Sequence, residues 1–336
     1  MAGKRNEAHN FPSIKADSLE FSPNRNKGIF LSFISLFLLA MLPIISNSRP
    51  SDLNALDYAF YLSLWELICA VPLFIIEFSK KNLGIFQKSV DWKIRKKTYL
   101  IMGITGFIFS ISTFFYVFAF ETAGTVSAAI AIQTYPLFSI LWEFILFKKK
   151  KRLGEIVFTL IMIIGIYYLG TEGTWLISGF SPWFAVALIV PFLWGIAHVT
   201  IKNTLDTSPI TPNQVTFFRV LISSIILFGI SSLINGITNI FNGLLNIEFQ
   251  LFGFLMGIVY YLELVNWFYA VKHIDVSVAS TVTTPTPMIT MIFALLILKE
   301  SIEVYKIIAM LVVFISLYGL LWFGKRKPVK YLSRNS

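Results

Sequence analysis

The sequence predicts an all-α membrane protein of ten transmembrane helices, arranged as two inverted repeats of five helices. Three observations favour this fold class: a series of apolar segments, a one-sided distribution of basic residues and a repeat between the two halves. Of the 336 residues, 56% are apolar and 14% are charged, whereas soluble domains carry roughly 25% charged residues. A soluble fold cannot hide so much apolar surface from water, so lipid is the expected solvent.

The apolar segments each contain about the twenty residues needed to cross a bilayer. Between the third and fourth segments stand only Glu121 and Thr122, which predicts a tight hairpin there. Residues 1–27 are predicted to form a disordered cytoplasmic tail and residues 325–336 a basic cytoplasmic tail. The predicted spans are 28–46, 57–78, 98–120, 123–147, 154–171, 182–202, 212–233, 249–271, 275–298 and 304–323.

The basic residues orient these spans. If the N-terminus is cytoplasmic, 24 of the 28 Lys and Arg residues fall on the cytoplasmic side, and only Arg49, Lys299 and Lys306 fall outside. Such a bias predicts cytoplasmic termini, and the short loops favour a bacterial inner membrane. Clusters of this kind contact anionic lipid headgroups, so the net charge of +10 does not indicate nucleic-acid binding.

The two halves of the chain repeat one another. A shift of 151 residues aligns segment 115–138 with segment 266–289 and Pro136 with Pro287. Five spans in each half is an odd number, so the second half must enter the membrane upside down. Inverted repeats of this kind are common in secondary transporters, which bind their substrate near the midplane between the halves.

The repeated segments resemble the drug/metabolite transporter superfamily, specifically its EamA-type members with two five-helix repeats. The sequences AGTVSAAIA and IDVSVASTV, each followed by a proline, carry the resemblance. Two positions depart from it: Lys149 stands where a Glu is typical, and Glu66 stands where an Arg is frequent. The matching positions are 123–131, 274–282, Pro136, Pro287, Glu300, Gly165, Gly170 and the FFR sequence at 217–219.

This resemblance implies five-helix repeats at 28–171 and 182–324 and transport of a small molecule across the membrane. Members of the superfamily carry amino acids, nucleotide sugars, cationic drugs and nucleoside-like metabolites. The resemblance alone therefore does not define the substrate.

Charged residues inside membrane spans are candidates for a functional site because their burial in lipid is costly. Glu66 and Arg219 lie near the middle of the second and seventh predicted spans. They are interpreted either as cavity residues or as a structural ion pair. Glu263 is interpreted as a cation-binding residue or as a protonated side chain bonded to a neighbouring helix. Glu77 and Glu143 lie closer to the cytoplasmic boundary, where snorkelling or pairing with lysines is expected.

The repeated prolines interrupt main-chain hydrogen bonding in the middle of the membrane. Pro136 and Pro287 are therefore predicted to bend their helices, either for packing alone or to open a cavity. His198 is interpreted as a residue near a helix end, either inert or with a role in proton coupling. Further candidates for the cavity wall are Trp65, Gln133, Tyr135, Trp194, Tyr260, Trp267, Thr283 and Thr284.

Motifs of other function classes are absent from the sequence. It contains no HExxH, GxSxG, P-loop or Cys/His cluster, so neither an enzyme, an ATP-driven pump, a metal site nor a cofactor is predicted. Cys69 is the single cysteine and excludes an intrachain disulfide. A non-transporting receptor or scaffold of the same fold is the competing class, and the sequence leaves monomer and homodimer open.

The balance of charge in the spans predicts the class of solute. Glutamates outnumber Arg219, which disfavours anions, whereas aromatic rings attract an onium centre and Arg219 can hold a carboxylate. The sequence therefore predicts secondary transport of a cationic or zwitterionic metabolite. S-adenosylmethionine is the sharpest candidate, with exchange for S-adenosylhomocysteine as one mode. The alternative is an amino-acid or drug exporter.

The charge bias yields a topology prediction. A reporter fused after Ser336 should read as cytoplasmic, and one inserted within 172–181 should read as external. Phosphatase and fluorescent-protein fusions measure the two positions independently. Both reporters on one side of the membrane would contradict the inverted arrangement.

Overall fold

The computed structural model describes residues 24–80, 83–148, 152–274 and 276–324, and this part of the chain is helical with short connections. The tails predicted at 1–27 and 325–336 lie outside it, except for residues 24–27, as does Lys149. Its α-helices are α1 (Arg25–Asn47), α2 (Ala55–Ser79), α3 (Trp92–Ala123), α4 (Thr125–Ile132), α5 (Tyr135–Phe147), α6 (Leu153–Gly170), α7 (Pro182–Thr207), α8 (Pro212–Asn235), α9 (Ile237–Leu245), α10 (Ile247–His273), α11 (Val276–Thr283), α12 (Thr286–Phe293) and α13 (Val304–Gly324).

Eight stretches of the described chain are long and apolar enough to cross a membrane, and one of them comprises α4 with most of α5. Two shorter apolar helical stretches, Thr286–Leu298 and Val304–Leu320, follow near the C-terminus. The protein is therefore a multi-pass integral membrane protein of the all-α class. The count of ten spans stays a prediction.

Helix α3 corrects two predicted boundaries. It begins at Trp92, where the Asp91 side chain accepts a hydrogen bond from the backbone N–H of Lys93, so the basic segment before the apolar run is already helical. It ends at Ala123, and Gly124 makes the turn with φ of 80°. The position predicted for the turn, at Glu121 and Thr122, is thus wrong, since both residues belong to α3 and the turn lies at Gly124. A positive φ at the turn favours glycine because it has no Cβ.

Helix α9 was not predicted from the sequence. Its nine residues contain an apolar side and a polar side, and the helix is too short to cross a bilayer. Ile240 is buried, and its carbonyl accepts a hydrogen bond of 3.1 Å from the Tyr61 hydroxyl of α2. Short amphipathic helices are invisible to a search for apolar segments of twenty residues.

The helix pairs follow a two-fold pattern. Helix α1 packs along α10 as α3 packs along α7, and α2 packs on α10 as α3 packs on α8. The pairs α2 with α8 and α6 with α13 each join equivalent helices of the two halves. Such exchange of partners is what a pseudo-two-fold axis between the halves produces.

Glycines allow the closest of these contacts. A Cβ on Gly257 of α10 would lie 2.8 Å from the carbonyl oxygen of Leu62 and 3.0 Å from the backbone nitrogen of Glu66. Gly253 stands one turn earlier against Tyr61 and Trp65. The two glycines form a GxxxG sequence, which lets membrane helices approach to backbone contact, and this approach fixes the position of Glu66 relative to α10.

Polar contacts hold both ends of the bundle. At the end predicted to be external, Arg49 forms an ion pair with Glu121, and the Asn47 side chain donates to Thr125 Oγ1 at 2.7 Å. At the other end, the hydroxyl of Thr211 donates to Glu77 at 2.8 Å. Glu77 is therefore bonded to the first turn of α8. The side chain of Glu143 lies outside the described part.

The close contact at Gly257 predicts a stability effect. Gly257→Ala should lower the free energy of unfolding by about 1–3 kcal/mol, because the new methyl group meets backbone atoms that cannot give way. Gly229→Ala is the control, since a Cβ there meets nothing within 4 Å; this change should be neutral or stabilising. Thermal unfolding of the detergent-solubilised protein measures both. Equal melting temperatures for the two variants would contradict the packing.

Candidate functional site

A central cavity lies between the two halves of the bundle. Its wall is built from seven helices of both halves, and it combines aromatic rings with one arginine and one carboxylate. The residues that line it are Leu39, Phe109, Tyr135, Trp194, His198, Arg219, Tyr260, Glu263, Leu264, Trp267 and Thr283. Concave sites that are mostly apolar and carry a few polar groups are typical of small-molecule binding.

Two interrupted helices cross beside the cavity. The break between α4 and α5 is followed by Pro136, and the break between α11 and α12 is followed by Pro287; each proline is the second residue of its new helix. Proline fits this position because its missing N–H would lack a helical partner there. The repeated prolines thus begin second half-helices and do not merely curve continuous ones.

The interruptions are bonded to each other across the halves. The Gln133 side chain donates to the carbonyl of Thr283 at 3.2 Å. The hydroxyls of Tyr135 and Ser280 are 2.6 Å apart. Thr284 donates to the carbonyl of Ser280 at 2.7 Å, within its own helix break. These hydrogen bonds satisfy main-chain groups that lipid cannot hydrogen-bond. They also hold Tyr135 and Thr283 in the cavity wall.

Arg219 of α8 is the central cation of the cavity. It is 2% exposed, and its guanidinium lies 3.9 Å from the centre of the Phe109 ring. Its Nη2 donates to the Tyr260 hydroxyl at 3.2 Å. The Nε and Nη1 groups are buried with no hydrogen-bond partner. A buried donor without a partner is costly, so these two groups mark a place where an acceptor would be bound strongly.

Two buried glutamates accompany this arginine. Glu66 of α2 and Glu263 of α10 are 1% and 6% exposed, and both interact electrostatically with Arg219. Within the described chain, neither forms a direct ion pair with Arg219. Glu263 faces the cavity, whereas Glu66 lies behind its wall and its Oε1 has no hydrogen-bond partner.

His198 occupies a more central place than the sequence suggested. Its ring lies within 6.2 Å of the ring centres of Trp194, Trp267, Phe109, Tyr135 and Phe268, and its Nδ1 has no hydrogen-bond partner. The interpretation of His198 as a residue near a helix end is wrong, since it lines the cavity. Its spacing of four residues from Trp194, which puts both on one helix face, was the available signal.

Trp65, Gln133 and Thr284 were predicted for the cavity wall but are not among the residues that line it. The indole N–H of Trp65 donates to Gln250 at 3.0 Å, and its ring packs against Gly253 of α10 and Phe254. Trp65 therefore belongs to the contact between α2 and α10. Among the residues described, no group of three or more His, Cys, Asp or Glu side chains is arranged to hold a metal ion.

Comparison with known proteins decides the family. The sequence profile of the EamA-like transporter family matches residues 26–171 and again 181–322. The chain belongs to the EamA-like transporter family. The two matches correspond to the two halves that the sequence repeat predicted, and the family assignment agrees with the resemblance noted in the helix-interrupting segments.

Individual relatives agree with this assignment. An uncharacterized transporter from Archaeoglobus fulgidus is 22% identical over 298 residues, which cover 87% of this chain and 97% of the relative. A solved crystal structure superposes with a TM-score of 0.61 at 14% identity, covering 90% of this chain and 100% of the other. At that identity the likeness shows the fold alone. Membership of this transporter family implies that the protein lies in a lipid environment and that its substrate is a small molecule.

The bond between the interrupted helices yields a prediction. Tyr135→Phe and Ser280→Ala should each lower stability, and their coupling energy should be about 0.5–1.5 kcal/mol, because either change removes the same hydrogen bond. Thermal unfolding of the two single variants and the double variant measures it. Tyr135→Phe with Ser224→Ala is the control pair, since Ser224 donates to Ser63 of α2. Additive effects in the first pair would contradict the cross-link.

Proposed function

We propose that this EamA-like protein is a secondary transporter that moves a zwitterionic or cationic metabolite of the amino-acid type by alternating access. The observation that carries the proposal is the pair of buried, unpartnered N–H groups of Arg219 in the cavity wall. Inverted-repeat transporters bind their substrate at such a central position between the halves.

Arg219 supplies the site for a carboxylate. The guanidinium fork matches the two oxygens of a carboxylate, and a charge-assisted pair of hydrogen bonds is stronger than a neutral one. Phe109 and Tyr260 hold the guanidinium by ring contact and by one hydrogen bond. The arginine is therefore oriented before the substrate arrives, which lowers the entropy lost on binding.

Glu263 and the aromatic wall supply the site for a positive centre. The carboxylate attracts an ammonium or sulfonium group, and the faces of Tyr135, Trp194 and Trp267 add cation–π attraction. A free anion such as a phosphorylated sugar would meet the acidic side of the cavity and be repelled.

The size of the cavity bears on the solute. The space inside its wall admits only water-sized groups in this conformation. An amino acid therefore needs the halves to move apart, and S-adenosylmethionine, the sharpest candidate by its chemistry, needs a larger movement. Smaller sulfonium amino acids and ordinary amino acids belong in the same test.

The proposal includes the topology from the charge pattern. The chain has ten spans and both termini in the cytoplasm of a bacterial cell, and the interrupted stretches α4 with α5 and α11 with α12 each count as one span. A homodimer is compatible with this arrangement but is not required, because the cavity is built within one chain.

Uptake into proteoliposomes tests the function. Labelled S-adenosylmethionine, S-methylmethionine and aromatic amino acids are offered to the wild-type protein and to four variants. Arg219→Gln and Glu263→Gln should each reduce uptake by about ten- to a hundredfold, because a hydrogen bond to a charged group contributes about 1.5–3 kcal/mol. Arg219→Lys should recover only part of it, since lysine lacks the fork. Trp65→Phe, outside the cavity, should retain near wild-type uptake.

Other outcomes would change the conclusion. Transport of a neutral or anionic solute that is insensitive to Arg219→Gln would contradict the charge argument. Specific binding of a solute without its movement across the membrane would favour the receptor class. S-adenosylhomocysteine should compete with labelled S-adenosylmethionine if the larger solute is the one carried.

A further inference from the structure

The number of buried charged groups around Arg219 is uneven. Glu66 and Glu263 are two buried carboxylates, and Arg219 is the cation that interacts with both. With all three ionised, this group would carry one unpaired negative charge in the interior of a membrane protein. An unpaired buried charge is far more costly than a neutral group, so without substrate one of the two carboxyls carries a proton.

We propose that these three residues together with any bound substrate stay electrically neutral during transport, so that a bound substrate releases as many protons as it carries net positive charges. The inference rests on the proposed function and deepens it, because it specifies what is exchanged for the substrate. The number of protons exchanged then depends on the charge of the solute as well as on the transporter.

Binding of a zwitterion leaves the number of protons on the two glutamates unchanged. The carboxylate of the zwitterion accepts from Arg219, through Nε–H or Nη1–H together with the second N–H of Nη2, and its ammonium lies beside ionised Glu263. These four charges sum to zero. The other carboxyl, Glu66, therefore keeps its proton, and a neutral amino acid binds without proton release.

A monocation changes the count by one. A sulfonium amino acid brings two positive centres and one carboxylate. Neutrality then requires both glutamates to be ionised, so the protonated carboxyl loses its proton to the solvent as the substrate binds. The same proton must return when the substrate leaves, which makes the transport of a monocation an exchange against one proton.

The other titratable groups near the cavity do not supply this proton. His198 of α7 shares the cavity with Arg219, and a charge on its ring would add a second buried cation there. The remaining ones are hydroxyls of Tyr58, Tyr116, Tyr135 and Tyr260 and the thiol of Cys69, which are neutral when protonated. Helices α1 and α11, which also contribute to the wall, provide Leu39 and Thr283, and neither residue titrates.

Calorimetry of binding in a series of buffers tests the inference. Full-length protein in detergent is titrated with methionine and S-methylmethionine, which differ by one methyl group and one positive charge, and with the matched pair S-adenosylhomocysteine and S-adenosylmethionine. The slope of the observed enthalpy against the ionisation enthalpy of the buffer counts the protons. We expect about zero for each thioether and about one released for each sulfonium.

Variants identify the source of the proton. In Glu66→Gln and in Glu263→Gln, one carboxyl remains beside Arg219, so the count for the sulfonium should fall to about zero in both, with folding checked by thermal unfolding. A count of one that persists in these variants and disappears in His198→Gln would overturn the assignment to the glutamates.

The two proposals fail in different ways. Binding of both members of a pair with equal proton counts would overturn the inference and leave the proposed function intact. Absence of binding by all four solutes would overturn the proposed function and the inference with it.

Discussion

The buried guanidinium of Arg219 is the constraint on which the centre of the structure depends. A cation in the interior of a membrane protein requires compensation by charge, hydrogen bonds or ring faces. Phe109 and Tyr260 provide ring faces and one acceptor, and Glu66 and Glu263 provide opposite charge from two other helices. The helices that carry these groups must therefore meet around α8, and the glycine contact of α10 with α2 brings both glutamates to one side of it.

The interrupted helices complement this arrangement. A continuous helix presents only side chains to a cavity, because its main-chain groups are bonded internally. The breaks before Pro136 and Pro287 free main-chain carbonyls in the middle of the bundle. One of these accepts from Gln133 of the opposite half. The two halves are thus joined at the same level as the charged residues, where a rocking movement has its smallest displacement.

Much of the fold could be predicted from the sequence. Apolar segments of twenty residues and the bias of basic residues locate spans because the energy of transferring each side chain from water to lipid adds along a helix. Helix α9 was not predicted, since its apolar residues occupy one side only. Its position depends on the hydrogen bond from the Tyr61 hydroxyl. The first residue of α3, Trp92, was not predicted, because hydropathy indicates where a helix enters the lipid and not where the helix begins.

The cavity was predicted less completely, for reasons of geometry. A charge or a proline inside a span marks a helix as functional, and so Arg219, Glu263 and Tyr135 were identified. The direction in which a side chain points depends on the rotation of its helix against its neighbours. Trp65 adjoins Glu66 in sequence, yet adjacent helical residues point about 100° apart, and Trp65 faces Gln250. His198 was missed because its span was predicted to end at residue 202. Helix α7 continues to Thr207, so His198 lies further from the end of the helix than the sequence suggested.

The opposite signs of Glu66 and Arg219 suit the packing of the helices that carry them. Helices α2 and α8 are equivalent in the two halves and pack against each other, so equal charges at these positions would repel at close range in a medium of low dielectric. Glu66 and Arg219 instead give these packed helices one negative and one positive charge. The buried charge at the centre of the bundle therefore has a direction, and under the proposed function a zwitterion is the solute whose own charges match it.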